Sequence, residues 1–139
     1  MRDFESNIKN LVIVPIQSLA HSAASAKAIC LEAKGARRLK IRVLASGVAA
    51  GKTAVVVLKG GDTWATRATN TIETFTATAD ASGYIDYEGY VTDPAKVYQY
   101  LTAIITPAAD AGDSGYYAVD VLFGLTRYAQ NIVVQEKYS

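Results

Sequence analysis

The chain predicts an all-β fold, an antiparallel sandwich or small barrel, and three observations carry that reading. Apolar and polar residues alternate with period two from Lys27 almost to the C-terminus, the mark of strands with one buried face. Gly, Asp, Asn and Pro interrupt the alternation at intervals of roughly 8 to 12 residues, the rhythm of short strands joined by turns. Helical periodicity is scarce, so the helices that an α/β fold requires are missing. One domain is expected from 139 residues, divided into an N-terminal arm over 1–10, a β-sandwich over 11–128 and a C-terminal tail over 129–139.

The first strand-like run is Leu11-Val12-Ile13-Val14. Before it, Phe4 is mixed with Arg2, Asp3, Glu5 and Lys9 without alternation, which reads as an arm with little to bury at home. Such an arm is expected to attach to a neighbour, with Phe4 as an apolar anchor. Ser22 to Ala28 is an Ala/Ser-rich loop or strand lead-in, and Cys30 then alternates with Ile29 and Leu31 in a strand where a free thiol acts as a small apolar residue. In Arg38-Leu39-Lys40-Ile41-Arg42-Val43 the apolar residues share one face and the bases the other. After the turn from Ser46 to Gly51, the unbroken Ala54-Val55-Val56-Val57-Leu58 predicts a strand covered on both faces or a subunit contact. It is expected to pair with the preceding strand as a hairpin.

Gly60-Gly61-Asp62 ends that strand, and Thr71 to Thr78 follows with Ile72 and Phe75 as its large apolar members. Beyond the turn Asp80-Ala81-Ser82-Gly83, residues Tyr84, Ile85, Tyr87 and Tyr90 make an aromatic-rich strand or edge. Pro94 precedes a strand from Val97 to Thr106, with Leu101, Ala103 and Ile105 opposite Tyr100, Thr102 and Ile104. Tyr116 to Leu125 sets Tyr117, Val119, Val121, Phe123 and Leu125 on one face, the plainest core assignment in the chain, and Ile132-Val133-Val134 can add a short edge strand.

Composition narrows the functions. Half the residues are apolar and 19% are charged, enough for a sizeable core and too few charges for a disordered chain. The longest apolar runs, Leu11 to Ile16 and Ala54 to Leu58, fall far short of the roughly 20 residues of a helical membrane span. Fourteen basic against thirteen acidic residues give a net charge of +1, without the basic footprint of a general nucleic-acid binder. A single cysteine excludes an intrachain disulfide, and one histidine beside it cannot assemble the usual zinc sites. Met1-Arg2-Asp3-Phe4-Glu5 carries acids with no apolar run directly behind it, so no secretory signal is expected and the protein is made in a cytoplasm.

No motif assembles catalysis. Gly47-Val48-Ala49-Ala50-Gly51-Lys52-Thr53 is like a phosphate-binding loop, but one residue short and followed by strand where a helix N-terminus is required. Asp110 and Asp113 give too few oxygens for calcium, and Asp86 with Glu88 on one strand face lacks a partner base, nucleophile or metal. His21 has no acid beside it and reads as a surface or rim residue. Arg37, Arg38, Lys40 and Arg42 concentrate positive charge on a strand, as a solvated face or a docking surface for an acidic partner. The nine tyrosines, with Tyr84, Tyr87, Tyr90, Tyr98 and Tyr100 clustered, fit sheet packing or an interface equally. Trp64, in a loop, fits a sugar-stacking platform or a hydrophobic plug.

A family likeness spans Cys30 to Ala129. Its parts are Leu31-Glu32-Ala33-Lys34-Gly35-Ala36 before an alternating strand, Gly51-Lys52-Thr53 before Val-rich sequence, and Phe75-Thr76-Ala77-Thr78 before Asp80. The strands Lys96 to Ile105 and Tyr117 to Gly124 and the ending Arg127-Tyr128-Ala129 complete it. In this order of strands and turns the chain resembles small structural proteins of tailed bacteriophages, in particular head decoration (cement) proteins. The resemblance implies a jelly-roll sandwich without active site or cofactor. It also implies copies, often trimers, that sit on the capsid surface of the virion and clamp the major capsid protein, with no nucleic-acid or membrane partner. A minor head-tail or tail protein, or a carbohydrate-binding sandwich, is the alternative. Partner contacts are expected from Phe4, Arg37, Arg38, Lys40 and Arg42.

Overall fold

Alternation such as Leu39-Lys40-Ile41-Arg42-Val43 forces the chain to bury every second side chain, and two sheets facing each other provide the place. The computed structural model describes residues 8–21, 30–32, 36–91, 98–125 and 133–135, and all its regular elements are strands. In chain order they are β1 (Ile8–Ala20), β2 (Cys30–Glu32), β3 (Ala36–Ser46), β4 (Thr53–Gly61), β5 (Asn70–Thr78), β6 (Ile85–Val91), β7 (Tyr100–Pro107), β8 (Ser114–Leu125) and β9 (Val133–Gln135). A four-stranded sheet runs β1-β8-β3-β6 and a five-stranded sheet runs β5-β4-β7-β2-β9, with every pair antiparallel.

The first eight strands pair in a nested way: β1 with β8, β2 with β7, β3 with β6 and β4 with β5. This is a long hairpin rolled across two sheets, the jelly roll, and β9 extends the five-stranded sheet beyond β2. The expected all-β sandwich is therefore what forms. Leu39, Ile41 and Val43 of β3, Tyr117, Val119 and Val121 of β8, Ala54, Val56 and Leu58 of β4, and Leu101, Ala103 and Ile105 of β7 are all buried in one core. Close approach of the sheets has a visible cost in side-chain choice at β6. A Cβ at Gly89 would stand 2.5 Å from Phe75 Cδ1, so glycine there lets the ring of β5 cross beneath the neighbouring strand.

Several local expectations are corrected. Strands β3 and β4 do not form a hairpin: β3 pairs with β6 and β8, β4 with β5 and β7, and the turn between them carries the chain from one sheet to the other. Gly47 and Gly51 turn it with φ of 78° and 77°, the left-handed region that a side chain disfavours. β4 is buried on one face and half-buried on the other, because Val55 and Val57 point outward between their neighbours. β1 begins at Ile8, three residues before the apolar run, and passes Pro15 as the sheet's edge strand with register shifts between Val12 and Val14 and between Val14 and Gln17. An edge position tolerates proline's missing N–H. β7 begins at Tyr100, with Val97 outside the described residues, as are Ser22 to Ala28, Ile132 and the arm up to Asn7.

At one end of the sandwich the turns are tied to one another. Val48 N–H donates to Gly83 O at 3.1 Å, Ala49 N–H to Ala111 O at 2.7 Å and Gly51 N–H to Ala79 O at 3.1 Å. His21 N–H donates to Asp113 O at 3.0 Å, and Lys52 Nζ lies 3.0 Å from Asp110 Oδ2. This closed end fixes the strand termini from which the candidate site is built.

Candidate functional site

The outer face of the four-stranded sheet is arranged in tiers, because antiparallel register sets residues of four strands side by side. Nearest the closed end, Ser18 and Ser46 both stand opposite Tyr116, and Leu44 lies between Ala118 and Asp86. In the next tier Asp120 lies between Val12 and Arg42, and Arg42 is opposite Glu88. Below that, Lys40 lies between Leu122 and Tyr90.

The first tier is an open groove of about 400 Å³. Leu44, Ala118 and the edge of Ile85 line it, with Ile16, Tyr84 and Tyr116 around them. Ile16 is 75% exposed, Tyr84 59% and Tyr116 57%. Together with Val12 and Tyr90 these are the large apolar side chains that are exposed among the described residues, and all five belong to this one side of the molecule. Water gains from covering such a concentration, which marks interaction surfaces more often than scattered single residues do.

The charged tiers pair internally. Lys40 Nζ is 3.1 Å from Glu88 Oε2 and 5.6 Å from the centre of the Tyr90 ring. Arg42 donates through Nε to Asp86 Oδ1 and through a terminal nitrogen to Asp86 Oδ2, each at 3.2 Å. The Glu88 hydrogen bond raises the Lys40 pKa, the Asp86 hydrogen bond raises that of Arg42, and the same bond holds Asp86 below the ordinary aspartate range. Asp120 moves the other way, pushed up by burial against a smaller opposing pull from Arg42.

Of the residues singled out from sequence, Lys40 and Arg42 thus share the outer face with carboxylates that engage them. Arg37 and Arg38 occupy strand positions in β3, with side chains outside the described residues, and Phe4 lies outside them altogether. His21 is buried, contrary to the rim position expected from its Ser/Ala-rich surroundings. Its Nε2 and Tyr117 Oη are hydrogen-bonded at 2.8 Å with the rings edge to face, and burial raises the Tyr117 pKa so that the hydroxyl keeps its proton. Cys30 is buried in β2 and forms no disulfide.

The loop that is like a phosphate-binding turn has its amides occupied. Those of Val48, Ala49, Gly51 and Lys52 each donate to a carbonyl, and the Lys52 ammonium is paired with Asp110. Trp64 is half-buried, with the Arg67 guanidinium 4.6 Å above its ring and Tyr100 edge-on at 5.9 Å, as a plug and not an open platform. No group of three or more potential metal ligands occurs among the described residues, and no helix among them is long and apolar enough to cross a membrane.

Sequence reasoning singled out Tyr84 and Tyr90 but missed Ile16, Leu44, Tyr116 and Ala118. A signal existed for Tyr116: with Tyr117 fixed inward, period two sends its neighbour outward. Nothing in the sequence alone brings β1, β8, β3 and β6 side by side.

No protein-family model matches the chain, and no curated protein sequence matches it. Among solved structures, it is similar to the CBM36-1 domain of a multidomain xylanase from the hindgut metagenome of Trinervitermes trinervoides, with 14% identity and a TM-score of 0.50 over 86% of this chain and 98% of that one. The infectious bursal disease virus VP2 subviral particle gives 11% identity and a TM-score of 0.46, over 95% of this chain and 37% of that one. Bacillus endospore appendages, described as disulfide-linked pili, give 17% identity and a TM-score of 0.39 over 86% and 90%. At these identities the likeness concerns fold alone: the chain is an antiparallel β-sandwich of the jelly-roll kind.

Proposed function

We propose that this chain is a non-enzymatic structural protein of a tailed-phage virion, a decoration protein on the capsid surface that stabilises the head by bridging neighbouring subunits. The observation that carries the reading is the outer face of the four-stranded sheet, where the exposed large apolar residues of the described chain converge beside a tier of ion pairs. Such a face suits protein contact: an apolar area to desolvate and a charged border to set register. Order of strands and turns, like that of head decoration proteins, supplies the assembly. The partners are the major capsid protein and further copies of the chain, most simply as a closed trimer, which covers apolar surface without leaving a growing end.

The carbohydrate-binding alternative needs polar groups converging beside an aromatic platform. In the groove the one carboxylate, Asp86, already receives two hydrogen bonds from Arg42, and Trp64 lies elsewhere under Arg67. These features weigh toward a protein partner. Imaging purified virions at a resolution that traces this chain tests the proposal. Copies on the outside of the head, with the outer face of the four-stranded sheet against neighbouring subunits, are expected. Absence from the head, or copies with that face open to solvent, would overturn it.

A further inference from the structure

We propose that the Tyr84–Tyr116 groove receives the Phe4 segment of a second copy of this chain, so that copies are joined arm into groove. The inference rests on the chain's own residues and holds whichever shell the protein serves. The groove is apolar in its floor and walls, formed by Leu44, Ala118, Ile16, Tyr84 and Tyr116, and its charged rim is the Arg42–Asp86 pair. A fitting occupant therefore carries one large apolar side chain with charges of both signs beside it. Arg2-Asp3-Phe4-Glu5 has that make-up: an aromatic ring for the floor, with a base and two acids flanking it that can extend the existing Arg42–Asp86 pair through its remaining acceptor and donor positions.

Reach decides whose segment it is. The residues before β1 enter the sheet at Ile8, which lies opposite Gly124, whereas the groove lies at the level of Tyr116. The groove's floor, Leu44 and Ala118, and its far wall, Tyr116, lie six to eight steps from Gly124 along β8, about 20–26 Å at the usual rise of a strand. From Ile8, the four residues back to Phe4 span at most about 14 Å, and the Phe side chain adds only a few ångströms. Phe4 thus falls short of its own groove even on a straight path back along β1, and a neighbour's groove is the one it can fill. Because donor and acceptor are different patches, the contact is heterologous, and with a suitable rotation it closes a ring in which every groove is filled.

The test mixes two full-length variants, Glu5→Cys, which keeps Phe4, and Ser46→Cys, a near-isosteric change at the groove. The native Cys30 is buried and does not compete. Mild oxidation is expected to give a disulfide-linked heterodimer between the two variants. Adding Phe4→Ala to the first is expected to lower its yield about tenfold or more and to lower the mass seen by light scattering at equal concentration, with an unchanged β circular-dichroism spectrum. A linked heterodimer that persists undiminished with Phe4→Ala would overturn the proposal. So would the absence of any mixed product, a Glu5→Cys/Ser46→Cys chain that closes on itself at high dilution, or a monomer at micromolar concentration whose groove fills only in contact with a shell protein.

Discussion

The two outer faces of the sandwich are built from the same alternating strands yet present different surfaces. On the five-stranded sheet, Val55, Val57 and Ile104 are half-buried between Thr74, Thr76 and Thr106, with Lys59 at the end of the row. Short β-branched side chains fill the pleat there, and among the described residues none of the large exposed apolar side chains stands on that face. The four-stranded sheet instead holds tyrosines and Ile16 outward, with a groove between them and a tier of cation–carboxylate pairs. What separates the faces is side-chain length. Threonine and valine complete a sheet, whereas long aromatic and charged residues reach past it toward something else. The face that looks most apolar in sequence, Ala54 to Leu58, is thus the quieter of the two.

The contrast can be broken or sharpened by substitution. The largest effect is expected at the buried support behind the groove, where His21 and Tyr117 fix the start of β8. His21→Ala strands the Tyr117 hydroxyl and opens a cavity, and is expected to cost about 2–4 kcal/mol in urea unfolding. Tyr117→Phe leaves the His21 ring without its partner and is expected to cost about 1–3 kcal/mol. If both variants keep the wild-type midpoint, the closed end does not support the groove.

Next in size is an effect on assembly with little change in stability. Tyr84→Ala with Tyr116→Ala removes the groove's walls at positions more than half exposed, so the thermal midpoint is expected to hold while oligomer mass and attachment to shells fall about tenfold or more.

A smaller effect comes from pH. Because Asp86 is held low in the folded protein by Arg42, its contribution is present above the unfolded value near pH ~4 and is lost as pH falls through its folded value. Asp120 is raised, so its contribution is present below about pH 4 and is lost as pH rises through its folded value. Asp86→Asn is therefore expected to flatten the acid side of a stability–pH profile and Asp120→Asn the side above it. Changes on the same side would show that the ion-pair tier does not act as paired. Smallest of all, Thr74→Lys with Thr76→Lys on the other outer face is expected to leave midpoint, mass and attachment unchanged.

The fold was legible because period two and turn residues are local properties. Tyr117, Val119 and Val121 were placed in the core from alternation alone, whereas Ile72 and Phe75 stood out only as the large apolar members of a Thr-rich strand whose inward face the sequence left open. The pairing of β3 with β6 and β8 was not legible, since a turn that joins a hairpin and a turn that crosses between sheets both use Gly47 and Gly51. His21 was misplaced for a related reason: its partner is 96 residues away along the chain, and its own Ser/Ala neighbours say nothing of Tyr117. The basic stripe was legible as a stripe, but its pairing with Asp86 and Glu88 depends on register across β3 and β6, which composition does not fix. The groove draws on four strands and emerges only once the roll is closed.

The central claim is that the outer face of the four-stranded sheet, and not that of the five-stranded sheet, makes the protein's contacts. Its most direct test measures occupancy on purified shells for wild type, for Tyr84→Ala/Tyr116→Ala and for Thr74→Lys/Thr76→Lys, each verified as folded by circular dichroism. The account predicts wild-type occupancy for the threonine pair and severe loss for the tyrosine pair. Full occupancy by the tyrosine variant, together with loss in the threonine variant, would contradict it.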